Sequence, residues 1–140
     1  MRIVLLVVSF FFALSLSACG GNVCKKGDAN CECALAGVCS WTCSGGECAF
    51  VNSGAGDGTF DCADGKCSLA HTGQGTATLN CAGGGCTASN SAQGTVTVNC
   101  AGGGCSMTCG GQGTCIINGC AGAATACTCT DGLTSTCTVN

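Results

Sequence analysis

The stretch GTVTVNCAGGGCSM, Gly94 to Met107, is one copy of a unit that returns every 19 residues along the chain. Stepping back from Cys100 by 19 lands on Cys81, Cys62, Cys43 and Cys24, and from Cys105 on Cys86, Cys67 and Cys48. A period of that length, kept without insertion or deletion, marks a repeat architecture, in which each unit covers its apolar side with copies of itself.

Within the unit, the residue two before the first cysteine is Trp41, Phe60, Leu79, Val98 or Ile117, always large and apolar and therefore inward. Thr59, Thr78 and Thr97 on one side of it, and Asp61, Asn80, Asn99 and Asn118 on the other, then point outward, which is the period-two pattern of a half-buried strand. A tight arc follows, such as Ala101 to Gly104, and the second cysteine opens a shorter strand in which Phe50, Leu69, Ala88 and Met107 face inward. Six residues before the first cysteine stands Gly37, Gly56, Gly75, Gly94 or Gly113, read here as a turn that needs positive φ.

Burial selects between two all-β architectures. An antiparallel meander or small barrel of hairpins leaves the cysteine face without a cover, because no helix or second sheet is evident in the sequence. A β-solenoid encloses the inward residues of each coil between its own two strands, and this is the expected fold. Equal spacing also predicts that Asn80, Asn99 and Asn118 stack as a ladder, as amides do in parallel in-register strands. Five coils at about 4.8 Å each give a rod roughly 24 Å long.

The core of such a coil is thin, and glycine-rich backbone is costly to order. Covalent staples are expected across each arc: Cys43 with Cys48, Cys62 with Cys67, Cys81 with Cys86 and Cys100 with Cys105, each worth about 2 kcal/mol in the chain-entropy view. Cys115 and Cys120 share that separation but are off register by one, since Gly119 holds the expected place, and are read as a further bonded site at the end of the regular array. The pairing of Cys24, Cys31, Cys33, Cys39, Cys109, Cys127, Cys129 and Cys137 stays open, because connectivity does not follow from sequence.

Composition agrees with a disulfide scaffold: 19 Cys and 25 Gly in 140 residues, no Pro, and 8% charged residues. Residues 1–18 hold Arg2 and a short apolar run, too short for a comfortable membrane span and suited to a signal peptide. Leu16-Ser17-Ala18-Cys19 resembles the lipobox of bacterial lipoproteins, which implies acylation of Cys19, export and an anchor in the cell envelope, with the outer membrane expected because Gly20 lacks the retention aspartate of enteric bacteria. Removing Cys19 leaves 18 cysteines, an even number. Beyond the signal, three lysines oppose seven acids, a net charge of −4, which argues against nucleic acid and says nothing of a protein or glycan ligand.

The expected division is a lipidated tether and cysteine-rich cap over 19–36, about five coils over 37–126, and a capping hairpin over 127–140 turning at Asp131-Gly132. The body resembles the short-repeat Gly/Asn/Val-rich domains of exported bacterial proteins, which implies a β-solenoid and no known activity.

Chemistry is sparse. Cys31-Glu32-Cys33 and Cys127-Thr128-Cys129 have the Cys-x-Cys form seen in metallothioneins, yet no Cys-x-x-Cys pair occurs, which excludes a zinc ribbon by spacing. Asp57, Asp61 and Asp64 could offer oxygens to calcium, although they lack the repeated carboxylates of calcium-binding β-rolls. His71 is the single histidine, at a position held by Asn52 and Asn90 in neighbouring units and read as a turn residue. No nucleophile stands in an elbow motif, so catalysis and cofactors are not expected. Thr76 with Thr78 and Thr95 with Thr97 are outward Thr-x-Thr pairs that look like the ice-binding face of disulfide-stapled beetle antifreeze solenoids, with Ile116 interrupting the row. The expectation is a lipid-anchored, non-catalytic structural or recognition protein; a thiol-rich metal buffer is the alternative and an ice-binding solenoid the minor one.

Overall fold

The computed structural model describes residues 22–120 and 126–140. The expected signal peptide over residues 1–18 and its lipidation residue Cys19 lie outside these residues. The described residues form thirteen strands: β1 (Asn22–Lys25), β2 (Cys31–Cys33), β3 (Cys39–Ser44), β4 (Ala49–Asn52), β5 (Gly58–Asp61), β6 (Ser68–His71), β7 (Thr76–Asn80), β8 (Thr87–Asn90), β9 (Thr95–Asn99), β10 (Ser106–Cys109), β11 (Thr114–Asn118), β12 (Thr128–Asp131) and β13 (Thr136–Val139). Odd strands build a seven-stranded sheet in the order β1-β3-β5-β7-β9-β11-β13, and even strands a six-stranded sheet. Every pairing is parallel. Successive strands therefore alternate between two facing sheets, and the fold is a β-solenoid, as the burial argument expects.

The register shows why the period is kept. Thr76 pairs with Thr95, Leu79 with Val98 and Asn80 with Asn99, each 19 residues on. Side chains of one repeat position thus stand in columns along the axis. The inward columns form the core, including Phe60, Leu79, Val98 and Ile117 from one sheet and Phe50, Leu69 and Met107 from the other, all buried. Phe50 and Phe60 meet across the interior with ring centroids 5.0 Å apart, near one end of the apolar column.

Disulfides close both turns of the coil. The first turn, from the seven-stranded to the six-stranded sheet, is bridged by Cys43–Cys48, Cys62–Cys67, Cys81–Cys86 and Cys100–Cys105, with Cα separations of 6.0, 6.3, 6.3 and 6.2 Å. Near the ends of the rod the opposite turn is bridged as well, by Cys33–Cys39 and Cys109–Cys115. Cys24–Cys31, Cys120–Cys127 and Cys129–Cys137 complete the set. Cys115 and Cys120 are therefore not partners. Cys115 is an inward residue of β11 facing Cys109 across the second turn, while Cys120 lies past the end of that strand and meets Cys127.

Both ends of the array differ from the sequence reading. The cysteine-rich cap is itself a coil, since β1 and β2 pair in register with β3 and β4. The C-terminal segment is not a hairpin: β12 joins the six-stranded sheet beside β10 and β13 joins the seven-stranded sheet beside β11, each parallel to its neighbour. Ser106 pairs with Thr128 and Thr114 with Thr136, a spacing of 22 instead of 19, so the last coil absorbs three extra residues before β12 and resumes the register.

The glycine row also has a different cause. Gly56, Gly75, Gly94 and Gly113 do not have positive φ. A Cβ at each would overlap the carbonyl oxygen of the glycine one coil below, for Gly75 that of Gly56. The row is glycine because backbone stacks on backbone there. Positive φ occurs instead in the disulfide-bridged arcs, where Lys66 (φ 58°) and Glu47 (φ 60°) occupy positions that Gly85 and Gly104 fill in later coils. Each costs about 1 kcal/mol relative to glycine through the Cβ clash.

Two alanine substitutions discriminate between these explanations. Gly75→Ala must force neighbouring backbones apart and is expected to lower stability by about 2 kcal/mol or more. Gly37→Ala, with nothing within 4 Å of the new methyl group, is expected to stay within about 0.5 kcal/mol of the parent in thermal unfolding.

Candidate functional site: the outer face of the seven-stranded sheet

Columns give the outer face a composition that no single coil reveals. From β7 onward the outward positions are Thr76, Thr78 and Asn80; Thr95, Thr97 and Asn99; Thr114, Ile116 and Asn118; then Thr136, Thr138 and Asn140. Ile116 interrupts only the middle column, and Thr138 pairs directly above it. No charged residue falls in these three columns from β7 to β13. β-branched residues suit the strand, and their hydroxyls are left in solvent at about 4.8 Å intervals along the axis.

The amide column is hydrogen-bonded throughout. Asn140 Nδ2 donates to Asn118 Oδ1 (3.0 Å), Asn118 to Asn99 (3.3 Å), Asn99 to Asn80 (2.8 Å) and Asn80 to Asp61 Oδ1 (2.6 Å). The ladder expected from the repeat is present and is longer than Asn80 to Asn118. Beside it a groove of about 320 Å³ runs along the corner of the solenoid, floored by Ala82, Ala101 and Gly119.

The carboxylates proposed for calcium do not converge. Asp57 and Asp64 flank opposite ends of β5. Asp57 Oδ1 accepts from the Thr76 amide (3.0 Å), Asp64 Oδ2 from the Gly45 amide (3.1 Å) and Asp61 from Asn80, so each is spent on tying one coil to the next. The Cys-x-Cys cysteines are also occupied: Cys31 and Cys33, and likewise Cys127 and Cys129, each belong to separate disulfides. Metal binding at these thiols would require reduction first.

His71 is the residue that the sequence places wrongly. It is fully buried at the end of β6, in the inward column Cys33, Asn52, His71, Asn90, Cys109. The outer members of that column are disulfide cysteines, and the inner three are the buried polar residues of the core. Asn90 is well satisfied, donating to Gly94 O (2.8 Å) and accepting from the Ala92 amide (3.1 Å). Neither ring nitrogen of His71 makes a hydrogen bond of acceptable geometry. Burial holds its imidazole below the ordinary histidine range, with the backbones of Gly75 and Asn52 opposing that shift. Strict alternation from Leu69 puts His71 inward, and only a strand ended one residue too soon makes it a turn residue.

Because the folded state lowers this pKa, the unfolded chain binds the proton more tightly. Stability is then full above about pH 6.5 and declines as pH falls from there through the folded-state pKa, by at most about 1.4 kcal/mol per pH unit for one proton. His71→Asn, which restores the residue of both neighbouring coils, is expected to remove this acid-side slope and to raise stability at neutral pH by about 1 kcal/mol. Denaturant unfolding from pH 4.5 to 8 checks both. No family model, curated protein or solved structure was found to match the chain.

Proposed function

We propose that this chain is a lipid-anchored protein of the bacterial envelope that acts without catalysis, using the outer threonine and asparagine face of its seven-stranded sheet to bind an uncharged, repeating, hydroxyl-rich partner such as a glycan. The observation that carries this reading is the uncharged face from β7 to β13, where one chemistry recurs at one spacing over four strands. A rigid row of hydroxyl and amide groups loses little conformational freedom on binding, and such preorganisation favours weak polar contacts repeated many times.

The anchor rests on the sequence Leu16-Ser17-Ala18-Cys19. Two further observations support it. All eighteen cysteines from Cys24 onward are paired, as suits an oxidising compartment. Val23, Leu35 and Val38, three of the five exposed large apolar side chains among the described residues, lie on the first coils, the end nearest Cys19. That end would face the lipid surface and hold the threonine face of the later coils at a distance from it. The metal-buffer alternative needs free thiols and is disfavoured by the same pairing. Ice adsorption is the second reading, favoured by the outermost threonine column, Thr76, Thr95, Thr114 and Thr136, which is not interrupted at β11.

Intact mass of protein from the membrane fraction is expected to include acyl chains on the peptide that begins at Cys19, and Cys19→Ser should move the protein to the soluble exported fraction. On a glycan array, Thr78→Lys with Thr97→Lys should weaken the strongest signal by roughly tenfold or more, the scale of one desolvated charge. An array signal left intact by this pair, or thermal hysteresis with no glycan signal, would remove the glycan reading, the latter in favour of ice.

A further inference from the structure

Among the described residues, the cysteines that are partly buried and not fully so are gathered at the C-terminal end of the solenoid. Cys120, Cys127, Cys129 and Cys137 are partly open to solvent, whereas Cys100 and Cys105 in the coil before them are 0% and 1% exposed. The one-residue slip at Gly119, the first of the three extra residues in this coil, displaces Cys120 from the cysteine column. The Sγ atoms of Cys100, Cys120 and Cys127 all lie within 4.8 Å of one another. A second trio, Cys43, Cys48 and Cys67, is as close, but all three are buried. The Cys129–Cys137 bridge is partly open to solvent, yet belongs to no such trio among the described residues. Proximity and access therefore coincide at one place.

We propose that the Cys100, Cys120 and Cys127 cluster is a thiol–disulfide exchange site that takes up small-molecule thiols and moves the resulting break into the adjacent coil. An incoming thiolate attacks one sulfur of the Cys120–Cys127 bridge, forming a mixed disulfide, and the bonding pair of the broken S–S bond leaves on the other cysteine. That thiolate attacks Cys100 Sγ, forms a new bridge to it, and expels Cys105 as a thiolate, which takes a proton from water. Two disulfides and one thiol enter and two disulfides and one thiol leave, so no external oxidant is needed. Rates of this exchange depend on access and on the distance the attacking sulfur must travel, and this cluster combines an open bridge with a neighbouring sulfur already at hand.

The test uses the full mature protein and reduced glutathione as the probe, with timed quenching, alkylation of free thiols and mass spectrometry of digested peptides. Glutathione is expected on Cys120 or Cys127, with the other of the two joined to Cys100 and with Cys105 alkylated. Cys129 and Cys137, being partly open but isolated, should open without transferring the break, and Cys43, Cys48 and Cys67 should react at least about tenfold more slowly. Adducts on Cys120 or Cys127 with no link to Cys100, or reaction at the buried trio at the same rate, would overturn the proposal. In Cys120→Ser with Cys127→Ser, alkylation of Cys105 should fall to that of Cys86; if it persists at the parent rate, the entry point lies elsewhere and the proposal fails.

Discussion

After each circuit the backbone must come back to within one strand spacing of the coil before it, around the turns as well as along the strands. That closure over the whole perimeter governs the rest. It forces equal circuit lengths, because a residue added on one side would move every later side chain to the opposite face. It removes the side chain wherever backbone lies directly on backbone, which is why the row from Gly56 to Gly113 tolerates nothing larger. It also explains how the last coil takes three extra residues without losing register: they fall between β11 and β12, outside the paired strands, and Thr128 and Thr136 rejoin their columns with the same offset.

A perimeter this small encloses little apolar volume. The interior is three columns from each sheet, and in the middle of the rod its aliphatic members are Leu69, Ala77, Leu79, Ala88, Val96 and Val98. Sulfur bridges compensate by limiting the freedom of the unfolded chain at every first turn. At the second turn the solution varies along the rod. Near the ends a cysteine pair spans it, at Cys33–Cys39 and Cys109–Cys115, and in between the same column carries Asn52, His71 and Asn90. Asn90 ties its turn together through its own amide, whereas His71 fits the space without satisfying its ring nitrogens. His71 is thus a local conflict between shape and polarity, held in place by its neighbours.

How far the sequence revealed this depends on how the information is carried. The strands, the inward row from Phe60 to Ile117, the arc disulfides and the asparagine ladder were legible because translation by a fixed period leaves each of them unchanged. Features that belong to the contact between coils were not. Glycine at positions 56, 75, 94 and 113 reads equally well as turn chemistry or as close approach, and only the stacking decides. Cys109 and Cys115 found each other across the second turn, whose inward column is occupied by non-cysteine residues in the central coils and so gives no periodic signal. The end coils were missed for a related reason: Cys24–Cys31 and Cys120–Cys127 each span seven residues, and this departure from the repeat concealed that the chain still closes a circuit there. The face of threonines was visible only as far as Ile116, which looked like its limit until the pairing of β13 with β11 extended it.

The amide row has a property that its members do not have singly. Every bond in it points the same way, from Asn140 through Asn118, Asn99 and Asn80 to the carboxylate of Asp61, so the amide dipoles add and finish on an anion. The rod therefore has a heading as well as an axis. A linear polymer laid along the face would meet a donor-led sequence in one direction and an acceptor-led one in the other, and the two orientations would differ in energy even though the columns repeat.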